Sequence, residues 1–182
     1  MTIESQTMQA LQKNLLRELF STPSLKAYAV LDGASNPALL DHLYGDDAPE
    51  FACLYRGELE PDIAECAPYL AYLEAGSAFT DWLTGNGWGL HWGIYAVADC
   101  DLKTMRHHLR KLNMVYDPET NRPLLFRYYD PRVLTTFLPT CDTRQVPEFF
   151  GPVQAWFAEA EGGTSIQRFA RNEQQLIVSD KV

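Results

Sequence analysis

The sequence predicts a single α/β domain in which helices flank a mixed, mostly parallel sheet. Three observations lead there. Segments of strand character and of helix character alternate along the chain. The strand-like segments are short continuous apolar runs, the pattern of strands buried on both faces. Several helix-like segments open on a capping residue, twice with a proline directly behind it.

Met8, Leu11, Leu15, Leu19 and Phe20 fall at helical spacing, with Lys13, Arg17 and Glu18 opposite, so residues 8–20 read as an amphipathic lead helix. The run AYAVLDG follows as a buried strand closed by Asp32 and Gly33. Ser35, Asn36 and Pro37 open a helix that buries Leu39, Leu40 and Leu43. Residues 51–55 form a second strand, stopped at Arg56 and Gly57. Pro68 opens a helix carrying Leu70 and Leu73. Ser77 caps another, with Phe79, Trp82 and Leu83 inward and Gly85 beyond its end. The aromatic and β-branched residues 88–98 favour a strand. Asp101 caps a helix whose inner face is Leu102, Met105, Leu109 and Leu112. Residues 124–130 make a further strand that runs into Asp130 and Pro131, cap and first turn of a helix through Val133, Leu134, Phe137 and Leu138. Residues 153–158 are extended, and residues 164–182 supply a strand and a frayed tail.

At 182 residues and 46% hydrophobic content the chain can bury a sizeable core. Its net charge of −9 argues against a nucleic-acid partner, which needs a basic face. Cys53, Cys66, Cys100 and Cys141 are scattered and read as free core thiols in a reducing compartment. The N-terminus lacks the layout of a signal peptide, and no apolar run approaches the ~20 residues that span a bilayer. The expected location is the cytoplasm, without membrane insertion.

No G-x-S-x-G is present. The run Gly85-Asn86-Gly87-Trp88-Gly89 lacks the lysine and hydroxyl of a phosphate loop and reads as a turn. His107 and His108 are adjacent, so a helix points them about 100° apart, and His42 and His91 add no ligand spacing. Neither a metal nor a cofactor is expected. Lys103, Arg106, His107, Arg110 and Lys111 make one helix face basic, either as plain solvated surface or as a docking face for an acidic partner. The most loaded segment is Phe126-Arg127-Tyr128-Tyr129-Asp130-Pro131-Arg132. A buried arginine must be paired, and Asp32, at another strand end, can pair with Arg127 or Arg132. Either these groups form an internal ion-pair network, or the arginines grip a carboxylate or carbonyls of a ligand.

Several segments together resemble one family. They are residues 28–34 (YAVLDGA), residues 67–70 (APYL), the Trp88 strand, residues 125–134 (LFRYYDPRVL), and residues 149–152 (FFGP) with Trp156. The family is the bacterial type VI secretion effector chaperone or adaptor, catalogued as domain of unknown function 4123. The resemblance implies a non-enzymatic cytoplasmic protein that binds a segment of a type VI secretion effector, a toxin, and helps load it onto a VgrG-type spike protein. Carried over by position, its motif residues are Asp32, Gly33, Pro68, Arg127, Asp130, Pro131, Arg132, Gly151, Pro152 and Trp156. The chain then divides into an N-terminal amphipathic helix (residues 1–26), the adaptor domain (27–157) and a C-terminal extension (158–182), shorter than in many relatives. The alternative is a small-molecule-binding or hydrolytic enzyme using Asp32, Arg127, Asp130 and Arg132.

Overall fold

The computed structural model describes residues 3–117 and 119–181. Among them the chain runs α1 (Ile3–Leu19), β1 (Lys26–Asp32), α2 (Leu39–Leu43), β2 (Phe51–Cys53), α3 (Pro61–Cys66), β3 (Pro68–Leu73), α4 (Ala78–Asn86), β4 (Gly93–Ala98) and α5 (Leu102–Leu112). It continues through β5 (Met114–Tyr116), β6 (Pro123–Leu125), α6 (Pro131–Phe137), α7 (Gln145–Phe150), β7 (Val153–Ala160), β8 (Ser165–Asn172) and β9 (Gln175–Lys181).

Seven strands form one sheet in the order β2-β3-β1-β4-β7-β8-β9, and every neighbouring pair is antiparallel. The mostly parallel sheet expected from the sequence is therefore wrong. Continuous apolar runs point to parallel strands because parallel sheets are the usual ones covered on both faces. Here an antiparallel sheet is covered on both faces, so its central strands show the same run: Ala27, Tyr28, Ala29, Val30, Leu31 and Asp32 of β1 are all buried.

Alternate β1 residues feed two cores. Ala27, Ala29 and Leu31 pack with α1, α2 and α4, through Leu11, Leu15 and Leu19, Leu39 and Leu43, and Phe79 and Leu83. Tyr28 and Val30 pack with α5, α6 and α7, through Met105 and Leu109, Leu134, and Phe149 and Phe150. Leu11, Leu15 and Leu19 recur every fourth residue, which keeps them on one stripe of α1, and burying each contributes about 2 kcal/mol. The caps act locally, as the sequence indicates. Ser77 Oγ accepts from Thr80 N (3.2 Å), Asp101 Oδ1 from Thr104 N (2.8 Å), and Asp130 Oδ1 from Arg132 N (2.9 Å).

Several elements differ from their sequence reading. The helix after Pro37 starts only at Leu39, behind Ala38, and α4 runs through Gly85 to Asn86. Pro68 starts the strand β3 rather than a helix, a position where proline's missing donor is tolerated; the helix lies just before it, in α3. Residues 124–130 are not one strand: β6 ends at Leu125, and the chain turns through residues 126–130, with Asp130 N on Arg127 O at 3.0 Å. Residues 88–92 are a turn ahead of β4, with Leu90 N on Gly87 O at 3.2 Å. At the far end, the segment 158–182 is no separate extension. Its described part completes β7 and adds β8 and β9 to the main sheet.

Cys53, Cys100 and Cys141 are half-buried and pack against the two cores, whereas Cys66 is exposed and is not a core thiol. No helix among the described residues is long and apolar enough to cross a membrane.

Candidate functional site

The motif residues gather where β1 ends. Asp32 lies opposite Pro68 in the β1–β3 register, and its backbone N donates to Trp92 O at 2.8 Å. The side chain is fully buried. Its Oδ1 accepts from Ala34 N (3.2 Å), capping a short 3₁₀ turn, and its Oδ2 accepts from Ser35 Oγ (2.7 Å) and from the Arg127 guanidinium. Arg127 reaches it from the turn after β6 and keeps 42% of its side chain in solvent. Burial works against the Arg127 charge, but the Asp32 hydrogen bond and charge outweigh it, and the guanidinium pKa stands above its ordinary value.

A second pair stands beside the first. Arg132 donates from Nε to Asp130 Oδ1 (3.0 Å) and from a terminal nitrogen to Oδ2 (2.7 Å), a bidentate fork. Asp130 is buried, while the Arg132 side chain is 62% exposed. Burial pushes the Asp130 carboxyl up, yet the Arg132 hydrogen bonds and charge hold it below the ordinary range. Tyr129, fully buried between these groups, has its phenol pushed up by burial and then by the Tyr55 hydroxyl. Every carboxylate oxygen of Asp32 and Asp130 thus already accepts a hydrogen bond. The arginines are paired, as an internal network requires, but both keep part of their side chain in water. Each neutralises a buried carboxylate and leaves its outer edge facing water.

The other motif residues shape backbone. Gly33 donates to Ala67 O at 3.0 Å, and a Cβ there would stand 2.4 Å from Glu65 O. Pro131 takes the first turn of α6. Gly151 ends α7 at φ 51°, where a Cβ would meet the His108 ring at 2.3 Å. That ring bonds Phe149 O through Nε2 (2.9 Å), and burial holds its pKa below the ordinary value. Pro152 is half-buried. Trp156 is fully buried against Phe149, ring centroids 5.6 Å apart. Gly151, Pro152 and Trp156 therefore join α7 to β7 and hold no place in the Asp32–Arg127 pair.

Sequence reasoning missed two features. Glu159, buried on β7, accepts from His91 N (3.0 Å) and Gly89 N (2.5 Å) and contacts the His91 ring, pinning the turn of residues 88–92. The available signal was a carboxylate directly after the apolar run Ala155-Trp156-Phe157-Ala158. The second feature is a separate two-stranded sheet of β5 and β6. Its turn is fixed by Asp117 N on Arg122 O (3.0 Å) and Asn121 N on Asp117 O (2.8 Å). All six of its strand residues are exposed, although the residues are Met114, Val115, Tyr116, Pro123, Leu124 and Leu125. The basic face flagged on α5 does a structural job as well. Arg106 Nε (3.2 Å) and Arg110 (3.3 Å) both donate to Cys53 O, and Arg110 also donates to Tyr55 O, so they bond the β2 segment at the sheet's edge. Among the described residues no group of three or more histidines, cysteines or carboxylates is placed to hold a metal ion.

Compared with known proteins, residues 27–148 match the family model described as "Domain of unknown function (DUF4123)". No curated protein and no solved structure matches the chain.

Proposed function

This chain belongs to the DUF4123 family, and on that premise we propose that it is a cytoplasmic chaperone or adaptor. In this reading it binds a segment of a type VI secretion effector and helps load it onto a VgrG-type spike protein. The observation that carries the reading is the β5–β6 hairpin. Met114, Val115, Tyr116, Leu124 and Leu125 are 39–65% exposed on six strand residues outside the main sheet. An isolated two-stranded hairpin is only marginally stable in water, and a contiguous apolar patch on a soluble surface marks a place that another protein covers. An effector segment laid along the hairpin would bury these side chains or add a strand to its open edge.

The two ion pairs support the same reading. Asp32 and Asp130 spend their oxygens on caps and on arginines. A cluster engaged in this way ties the end of β1 to the turn between β6 and α6.

Co-expression with the neighbouring effector and spike genes tests the proposal. The chain is expected to co-purify with the effector and to raise its soluble yield. A well-folded chain that captures neither protein sinks the reading.

A further inference from the structure

The helix α5 buries Met105 and Leu109 and turns Lys103, Arg106, His107 and Arg110 to one face, at relative positions i, i+3, i+4 and i+7. With Arg56, from the loop after β2, these residues line a groove of about 850 Å³. Four of them are permanent cations. Asp101 is the one carboxylate in the lining, and it is occupied as the helix cap.

Among the described residues no carboxylate makes an ion pair with Arg56, Lys103, Arg106 or Arg110. The bonds from Arg106 and Arg110 to Cys53 O and Tyr55 O fix the two guanidiniums in place without neutralising them. Burial first, and then the charges of Arg106 and Arg56, push the Arg110 pKa down. Like charges are thus held together in a protein whose net charge is −9, and an anion in the groove would relieve them.

We infer that this groove docks an acidic stretch of the partner protein, beside the apolar contact made by the hairpin. The inference rests on the adaptor reading above and names the chemistry of its partner. Carboxylates fit because guanidiniums bind them through paired hydrogen bonds. Length separates a peptide from the other polyanions. The 11 residues of α5 span about 16 Å, enough for roughly five extended residues. A nucleic acid or an anionic bilayer would run past the groove onto the acidic remainder of the surface and be repelled. The helix also leads through Asn113 into β5, so the cationic face and the apolar hairpin adjoin along the chain. A partner segment carrying an apolar stretch next to an acidic one suits both.

Fluorescence anisotropy on the full chain tests this, with a labelled peptide of about twelve residues, half of them glutamate, beside its glutamine counterpart. The glutamate peptide is expected to bind, and to weaken as salt rises from about 50 to about 300 mM. Joint substitution of Arg56→Glu and Lys103→Glu, both exposed and neither bonded to β2, should weaken it about tenfold or more at an unchanged melting temperature. Equal binding of the glutamine peptide overturns the inference, as does undiminished binding to the double variant. A preference for duplex DNA or phosphatidylserine vesicles, lost in the double variant, also overturns it. Effector capture separates this inference from the adaptor reading. A double variant that captures effector as well as the wild type sinks the groove and leaves the adaptor standing. A wild-type chain that binds the glutamate peptide but captures no effector does the reverse.

Discussion

Arg127 and Asp32 lie 95 positions apart and meet as an ion pair that ties the turn after β6 to the end of the central strand β1. The carboxylate is buried and the guanidinium half-exposed, so the pair seals a strand end against water while Arg127 keeps an edge free. Arg132 treats Asp130 in the same way from a more exposed position. Asp130 also accepts from the Arg132 backbone N, a bond that side-chain truncation leaves intact.

Truncating the two arginines should therefore give unequal costs. Arg127→Ala leaves the buried Asp32 charge without its counter-ion and is expected to destabilise by about 2–3 kcal/mol, below the full figure for a buried pair because Arg127 is partly solvated. Arg132→Ala should cost about 1 kcal/mol or less. Urea denaturation of both variants checks the order, and equal losses would contradict it.

Backbone crowding makes a second prediction. At Gly33 an added Cβ meets the backbone oxygens of Glu65 (2.4 Å) and Ala67 (2.7 Å), neither of which can swing away. Gly33→Ala should cost about 2–3 kcal/mol. Gly151→Ala combines a left-handed φ with the bonded His108 ring and should cost a similar amount. A melting temperature unchanged in either variant would mean that the local chain relaxes freely.

Acid sensitivity follows from Asp130. Its folded carboxyl titrates below the ordinary range, so the unfolded chain takes up the proton first as pH falls. The stabilisation is complete above about pH 4 and drains as pH drops through the folded value. Asp130→Asn should melt lower at neutral pH and lose less further stability than the wild type between about pH 4 and pH 2. Parallel acid slopes for the two proteins would refute the assignment.

These sites show what a sequence can and cannot convey. Ser77, Asp101 and Asp130 were readable as caps because a cap bonds only to a neighbour two or three residues on. The pairing of Asp32 with Arg127 was readable as one of two options, since both lie near strand ends among apolar residues. Strand direction was not readable. It depends on how each connection crosses the sheet, and burial on both faces erased the alternation that marks most antiparallel strands. Pro68 misled for a related reason, as the first residue of a helix and the first residue of a strand tolerate proline equally. The exposure of Leu124 and Leu125 was hidden too, because an apolar run looks alike whether a core or a partner is to cover it.

The most direct measurement is effector capture by a chain whose hairpin has been made polar, with Val115→Glu and Leu125→Glu combined. Both side chains are exposed, so folding and melting temperature should stay close to wild type. The account predicts that this folded variant loses at least about nine-tenths of its effector capture, in line with removal of a central apolar contact. Full capture by the folded variant would contradict the claim that this hairpin is where the protein holds its cargo.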